Sequence, residues 1–434
     1  MKRSERIMYT WNPVFNFVMN LKHRYEEQFG TAEYKTYTLN DQKMTCLEYW
    51  IHMLHDTAAL QRIQYLVLNQ NQEFLLVKYA GFNDLTSGES AVTLEEFWEL
   101  YDGFYLECRS VVLDLKEECI ALSPFKKFRN LNEGPENQMS VITEKINHAS
   151  TVEITNKLDG SMQCARWYHS APFLAGSQAI DPANSWRLAD GYRMLTTGDH
   201  YINMLRENPG CTFIFEYIAL RDAHVVKYEK DQEGLYLIGI REVQTGRQYS
   251  YKEVAAYAAK YDVPMTQIFN KTFEQVLKEI KTIKSDEQEG FVLNIDGHML
   301  KVKADDYVQI HRILSKLSSI NLIIQNIAED RTDDLLSKVP EVYKPRIYAV
   351  EKIARNYMAQ TRATIKKYYE EAPKDNKKIF MLWVEENVPR DYRHYVRNEY
   401  LGVPSTLLKS GPANAPRYKK LTDMGVTDYK EIFE

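Results

Sequence analysis

No stretch of this chain is apolar for the roughly 18 residues that a membrane-spanning helix needs, so no such span is expected. The first residues, MKRSERIMYTWNPVF, are basic but have no continuous apolar run behind them, which argues against a secretory leader. Cysteine is scarce. Cys46, Cys108, Cys119, Cys164 and Cys211 stand far apart, and none forms a Cys-x-x-Cys pair. That excludes the usual structural zinc spacing, and an odd, unclustered set fits reduced thiols in a cytoplasm, the host's if the chain is viral. There is no internal repeat and no low-complexity tract. Three devices for phosphate or metal chemistry are missing too: the Gly-x-x-x-x-Gly-Lys-Ser/Thr loop, the Gly-x-Gly-x-x-Gly turn and the His-Glu-x-x-His helix.

An excess of positive charge is also lacking. The 434 residues carry a net charge of -5, so any contact with nucleic acid has to come from local patches. The charge is uneven: residues 305–434 hold 22 Lys and Arg against 19 Asp and Glu, and the acidic excess lies in the first 304. Hydrophobic residues make up 44% and charged residues 26%, the proportions of a chain with a real core.

The pattern divides the chain. Residues 14–28 have helical spacing and residues 74–80 read as a buried strand. From about residue 100 to 303 strands dominate, among them RSVVLDL, CIALSPF, TVEITNKL, CTFIFEYIA, LYLIGIREV, GFVLNI and HMLKVKA. Helices are expected over residues 186–207 and 272–284. After Lys303 strand signals fade, and Ile310, Ile313, Leu314, Leu317, Ile320, Ile324 and Ile327 recur at helical spacing, as do Ile347, Val350, Ile353, Tyr357, Ile365 and Tyr368. The expected division is an N-terminal extension, partly helical (1–73), a strand-rich domain (74–304) and an all-α domain (305–434).

Within the strand-rich part lies Lys157-Leu158-Asp159-Gly160-Ser161. It fits Lys-x-Asp-Gly, a pattern in which lysine attacks a nucleoside triphosphate. A lysine at a strand end projects into a cleft, but it attacks only as the neutral amine. An amine of ordinary pKa is neutral in about one molecule in a thousand near pH 7 to 7.5, so desolvation or nearby cations are required. Gly160 lets backbone approach a nucleotide, and Asp159 is placed to position the lysine or a metal. Downstream, Glu216 shares one strand face with Ile214, opposite Phe213 and Phe215. Glu289 precedes Gly290 and a strand. Lys301 and Lys303 point to one face of a strand with Val302 on the other, and two adjacent ammonium groups suit an anion between them. Upstream, Arg109 offers a planar fork suited to phosphate. In SPFKKFRN, Lys126, Lys127 and Arg129 interleave with aromatics, a mixture suited to a nucleotide or an RNA backbone.

In order, Arg109, KLDGS, FEY with Glu216, EGFV with Glu289 and Lys301-x-Lys303 resemble the covalent nucleotidyltransferases, the superfamily of ligases and RNA capping enzymes. The segments ECRSVVLD, SPFKKFRNLNE, FEYIALRDAHVVKYE, YLIGIREVQTG and EGFVLNIDGHMLKVKADDY resemble, within it, the phage RNA ligase 1 family over residues 74–310. The resemblance implies an α+β fold, a nucleotidyltransferase with ATP-grasp-like antiparallel sheets and flanking helices, followed by the all-α domain. It implies an ATP-dependent RNA ligase that passes through lysyl-AMP on Lys157 and adenylated RNA, with magnesium or manganese. Catalysis falls to Lys157, Asp159, Lys301 and Lys303. The nucleotide falls to Arg109, Lys127, Lys157, Gly160, Glu216, Glu289, Lys301 and Lys303, and the metal to Glu216, Glu289 and Asp159. The implied partners are RNA ends, among them a tRNA nicked in its anticodon loop, and a separate end-healing kinase and phosphatase, with the ligase itself a monomer. A capping-type guanylyltransferase, a DNA ligase and a non-catalytic RNA-binding protein are the competing readings. DNA ligases tend to carry Arg where Met162 stands, and a β-barrel where helices follow here. Three positions depart from the family: Ser110 replaces Gly, Arg129 replaces Phe, and Ala175 replaces a lysine.

Overall fold

The computed structural model describes residues 9, 11–29, 37–39, 42–44, 63–67, 74–79, 104–222, 224–308, 320–337, 339, 344–410 and 417–426. It divides into two units, Met1–Tyr307 and Val308–Glu434.

In the first unit a hairpin of β1 (Tyr37–Leu39) and β2 (Gln42–Met44) precedes β3 (Ile63–Val67) and β4 (Phe74–Tyr79). Strands β3 and β4 join β5 (Arg109–Asp114) and β6 (Cys119–Leu122) in an antiparallel sheet of order β3-β4-β5-β6. Alternation decides what each face meets. Leu75, Val77, Val111 and Leu113 pack on Val14, Phe15, Val18 and Met19 of the helix Pro13–Phe29. Val14, Phe15, Val18 and Met19, within the stretch read as an extension, thus supply core to this unit. Leu76 and Val112 face the other way, onto Cys164, Ala175 and Ile214 of the next sheet.

That sheet, ordered β11-β10-β8-β9, is built from β8 (Ser161–Tyr168), β9 (Ala171–Gly176), β10 (Cys211–Ile218) and β11 (Gly234–Glu242). Its far face, with Phe213, Phe215, Leu235 and Leu237, is covered by the helices Trp186–Thr196, His200–Glu207 and Tyr251–Tyr261. The single helix expected over 186–207 is therefore two, broken where Gly198 takes φ 84. A third sheet, β13-β12-β7, comprises β7 (Val152–Lys157), β12 (Gly290–Ile295) and β13 (His298–Lys303). It packs Ile154, Phe291, Leu293, Leu300 and Val302 against Ile142 of the helix Met139–His148 and against Phe273 and Val276 of the helix Phe273–Glu279. The latter stops five residues short of the expected 284.

The second unit is helical: Ile320–Ala328, Thr332–Leu336, Lys344–Glu371, Lys377–Asn387 and Arg390–Leu401. Ile323, Ile324 and Ile327 pack on Ile347, Val350 and Ala354. Ile365, Phe380, Val384 and Val396 form a second core. The helical expectation holds, with one short addition: a two-stranded ribbon of β14 (Lys409–Ser410) with β15 (Arg417–Tyr418), whose two-residue strands leave no readable alternation. Ile310, Ile313, Leu314 and Leu317 lie outside the described residues.

Candidate active site

The KLDGS pentapeptide links two sheets. Lys157 ends β7 in the three-stranded sheet and Ser161 begins β8 in the four-stranded one, so the turn Leu158–Gly160 lies where they meet. The strand register then assembles the charged groups. Lys157 pairs with Gly290, and Gly290 pairs with Lys303 on its other side. Glu289, one residue before Gly290, therefore stands between two lysines. Its Oε2 accepts from Lys157 Nζ and its Oε1 lies 2.9 Å from Lys303 Nζ. Burial raises this carboxyl, but the charges of Lys157 and Lys303 outweigh that and hold it below its ordinary value.

A cavity opens beside this row, large enough for a nucleotide at ≈ 730 Å³. Arg109, Lys157, Gly160, Glu216 and Lys301 line it. Lys301 is half-buried, and desolvation of its amine, then Arg109, Lys157 and Lys303, press it well below the usual value. Its Nζ lies 4.8 Å from the centre of the Phe128 ring, and the Arg109 guanidinium lies 5.0 Å from the same ring. Phe128 thus spaces two cations that would otherwise repel. Among the described residues, Arg109 Nη1 is buried with no hydrogen-bond partner, a donor in need of an acceptor.

Glu216 faces the same cavity from β10. Its Oε1 accepts from Gly160 N at 3.0 Å, which fixes the motif turn against the strand. Desolvation pushes its carboxyl up to about 7; Lys157 opposes the shift and Glu289 adds to it. Gly160 is required here, since a Cβ would stand 2.4 Å from Tyr217 O.

Not every expected residue joins this group. Asp159 is 5% exposed and is absent from the cavity wall. Its Oδ2 accepts from Val225 N and Val226 N at 2.9 and 3.0 Å, and its Oδ1 from Tyr307 OH at 2.8 Å. A carboxylate so saturated is not placed to bind a metal; it holds the motif in position. Lys127 is also elsewhere, in the wall of a neighbouring cavity, where burial foremost, then Arg109 and Arg129 against the opposing Glu133, lower its amine to about 8. Ala175 is buried among Leu76, Val112 and Ile214, so no charge comes from that position. Ser110 explains why its position favours Gly: it holds φ 66, steadied by Ser110 Oγ donating to Ser177 O at 2.9 Å.

Sequence reasoning missed four groups: Phe128, Tyr228, Tyr307 and Asp222. Tyr228 OH accepts from Asp159 N at 2.8 Å. Asp222 takes Ser161 Oγ at 2.8 Å and Arg187 Nε at 2.7 Å, and its carboxyl is lowered to about 2: burial opposes, but His224, Ser161 and Arg187 prevail. The aromatics carried a legible signal, because each stands within a motif segment beside a charged group.

Residues 107–307 match the model of the family described as RNA ligase, the phage-type family that the motifs resemble. A curated relative from Thermovibrio ammonificans, named "Putative RNA ligase", is 25% identical over 309 residues, covering 64% of this chain and 76% of its own. Among solved structures, an archaeal ATP-dependent RNA ligase is similar at TM-score 0.42 and 12% identity, with 82% of this chain and 96% of that one covered. A Naegleria gruberi RNA ligase mutant with ATP and Mn is similar at TM-score 0.35 and 14% identity, with 66% and 83% covered.

Proposed function

We propose that this chain is an ATP-dependent RNA ligase that joins a 5′-phosphate to a 3′-hydroxyl through lysyl-AMP and adenylated RNA. The observation that carries the reading is the row Lys157–Glu289–Lys303 at a cavity lined by Lys301 and by the partnerless Arg109 Nη1. A nucleophile, a carboxylate and three cations converge there, which is what phosphoryl chemistry at a lysine needs.

Lys157 gives up its proton as its pair with Glu289 opens, and its nitrogen attacks the α-phosphorus of ATP. The N–P bond forms, the bond to the bridging oxygen of the β-phosphate breaks, and pyrophosphate leaves. Glu289 is the acceptor in contact, and loss of one lysine charge relaxes the hold that keeps its carboxyl low. Lys301 and Lys303 bear on the α-phosphate, and Arg109 on the outer phosphates. A 5′-phosphate oxygen of RNA then displaces Lys157 from the adenylyl phosphorus. Last, a 3′-hydroxyl oxygen attacks the RNA phosphorus and AMP leaves.

Glu216 fits a divalent cation: it lines the cavity, burial and then the charge of Glu289 push its carboxyl up against the pull of Lys157, and a cation beside it would relieve that cost, with Glu289 able to join once its pair with Lys157 opens. Magnesium or manganese, when bound, supplies neutralisation of the charge that develops on phosphate. Asp159 is left the role of positioning. The finer reading, a tRNA nicked in its anticodon loop whose ends a separate kinase and phosphatase heal, is supported by the resemblance of the motifs alone.

The test is labelling with α-labelled ATP or GTP and magnesium, read on a denaturing gel. Wild type takes label from ATP, and Lys157→Ala takes none, a loss beyond about 10³-fold. Label from GTP alone indicates a capping enzyme, and no label at all indicates a binding protein. Joining of a 5′-phosphate, 3′-hydroxyl RNA then separates RNA ligase from DNA ligase.

A further inference from the structure

A second cavity, of ≈ 1030 Å³, adjoins the first. Phe128, Gln248, Gly297 and Met299 belong to both walls, so a strand leaving the nucleotide cavity past Phe128 enters it. Its cations come from separate segments, Lys126, Lys127 and Arg129 from the stretch after β6 and Lys145 from the helix Met139–His148, and His298 from the start of β13 adds an imidazole to the same wall. Glu136 is the one acidic residue of the wall, and it is engaged by Arg129 Nη1 at 2.6 Å. Arg241, also in the wall, is held by Glu107 through two contacts of 2.8 Å.

Two lysines remain without such compensation. Among the described residues, Lys126 and Lys145 make no ion pair. Lys145 Nζ rests instead 3.3 Å from His298 Nδ1, while His298 Nε2 lies 2.7 Å from Asn137 Oδ1. Burial first, then Lys145, with Lys126 adding, hold the imidazole below its ordinary value against Glu136. The walls therefore concentrate positive charge that the protein does not balance. The first cavity already has Arg109 and Lys301 for a nucleotide. A pyrophosphate would fill little of this second space, and cations on separate segments beside an aromatic ring suit a strand.

We propose that the second cavity binds the RNA backbone next to its 5′-phosphate end, with Lys126 and Lys145 as phosphate contacts and His298 holding Lys145 in place. The proposal rests on the ligase reading. Its test uses the full-length protein and a 5′-phosphorylated single-stranded RNA of about a dozen nucleotides, labelled at its 3′ end. Anisotropy is followed between about 50 and 200 mM salt for wild type, Lys145→Ala, Lys126→Ala and Lys145→Arg. Each alanine variant should weaken binding several-fold and make the slope of log K against log salt shallower by about 0.7. Lys145→Arg should restore most of both. Lysyl-AMP formation from labelled ATP should stay within about twofold of wild type, while the KM for RNA in AMP transfer rises. Loss of lysyl-AMP formation with unchanged RNA binding would assign the cavity to the outer phosphates of ATP and overturn the proposal. So would unchanged RNA binding and transfer in every variant. A wild type that takes no label from ATP would sink the ligase reading instead, a separate outcome.

Discussion

Glu216 and Ser110 are single residues whose chemistry opposes their setting. The Glu216 carboxyl ionises at an ordinary value near 4.5 in the unfolded chain and at about 7 in the fold. Between those values the folded state binds more protons, so stability falls as pH rises, and the full penalty stands above pH 7. Glu216→Gln keeps an acceptor for Gly160 N and removes the charge. The variant should melt higher than wild type at pH 8, by up to roughly 3 kcal/mol of stability, with the gain vanishing below about pH 4.5. Lysyl-AMP formation should nevertheless be lost. In wild type the labelling rate should fall as pH drops through about 7, with a midpoint that moves down as magnesium is raised. A midpoint indifferent to magnesium would remove Glu216 from the metal. Ser110 poses a smaller conflict between φ 66 and the bond to Ser177 O. Ser110→Ala keeps the strained backbone without the bond and should destabilise by about 1 kcal/mol. Ser110→Gly loses the bond but relaxes the backbone, and its melting point should stay near wild type.

Elements show what was legible and what was not. The alternation in FIFEYIA put Ile214 and Glu216 on one face, and the fold keeps them apart from Phe213 and Phe215, which meet the helices. Lys301-Val302-Lys303 obeyed the same rule, with Val302 in the core. Period-2 patterns survive because a slip by one residue would bury the charges. What the pattern could not carry was pairing across long separations. That Lys157 is set beside Gly290, and Gly290 beside Lys303, depends on register between strands far apart in sequence. Nor did it reveal that Asp159 is consumed by Val225, Val226 and Tyr307, since those bonds come from a loop and a distant aromatic. Gly290 tests the row directly. It holds φ 144, and a Cβ there would stand 2.2 Å from Val302 O. Gly290→Ala should push β12 from β13, draw Glu289 away from Lys303, and cut the labelling rate by at least about a hundredfold. It should also destabilise by about 1–3 kcal/mol in a chemical melt. Full labelling would show that the row tolerates movement.

The whole molecule raises the question of where the adenylating part ends. The break in hydrophobic pattern after Lys303 suggested a boundary at 304/305, whereas the first unit runs to Tyr307. Those three residues matter because Tyr307 is buried in the first unit and donates to Asp159 Oδ1 at 2.8 Å. Asp159 in turn fixes the turn that holds Lys157 and Gly160. The cores around Leu75, Phe213 and Phe291 are all formed by residues of the first unit, so a fragment of residues 1–307 has what it needs to fold. It should take AMP from ATP at a rate within about tenfold of the full chain. A fragment of residues 1–304 lacks the tyrosine and leaves one oxygen of a buried carboxylate without its hydroxyl donor, a loss of about 1–3 kcal/mol at the motif. It should label far more slowly than 1–307, and Tyr307→Phe in the full chain should reproduce the defect in kind. Equal labelling by the two fragments would mean that the tyrosine does not position the nucleophile. Sealing of RNA by 1–307, measured beside its labelling, then isolates what residues 308–434 add to substrate choice.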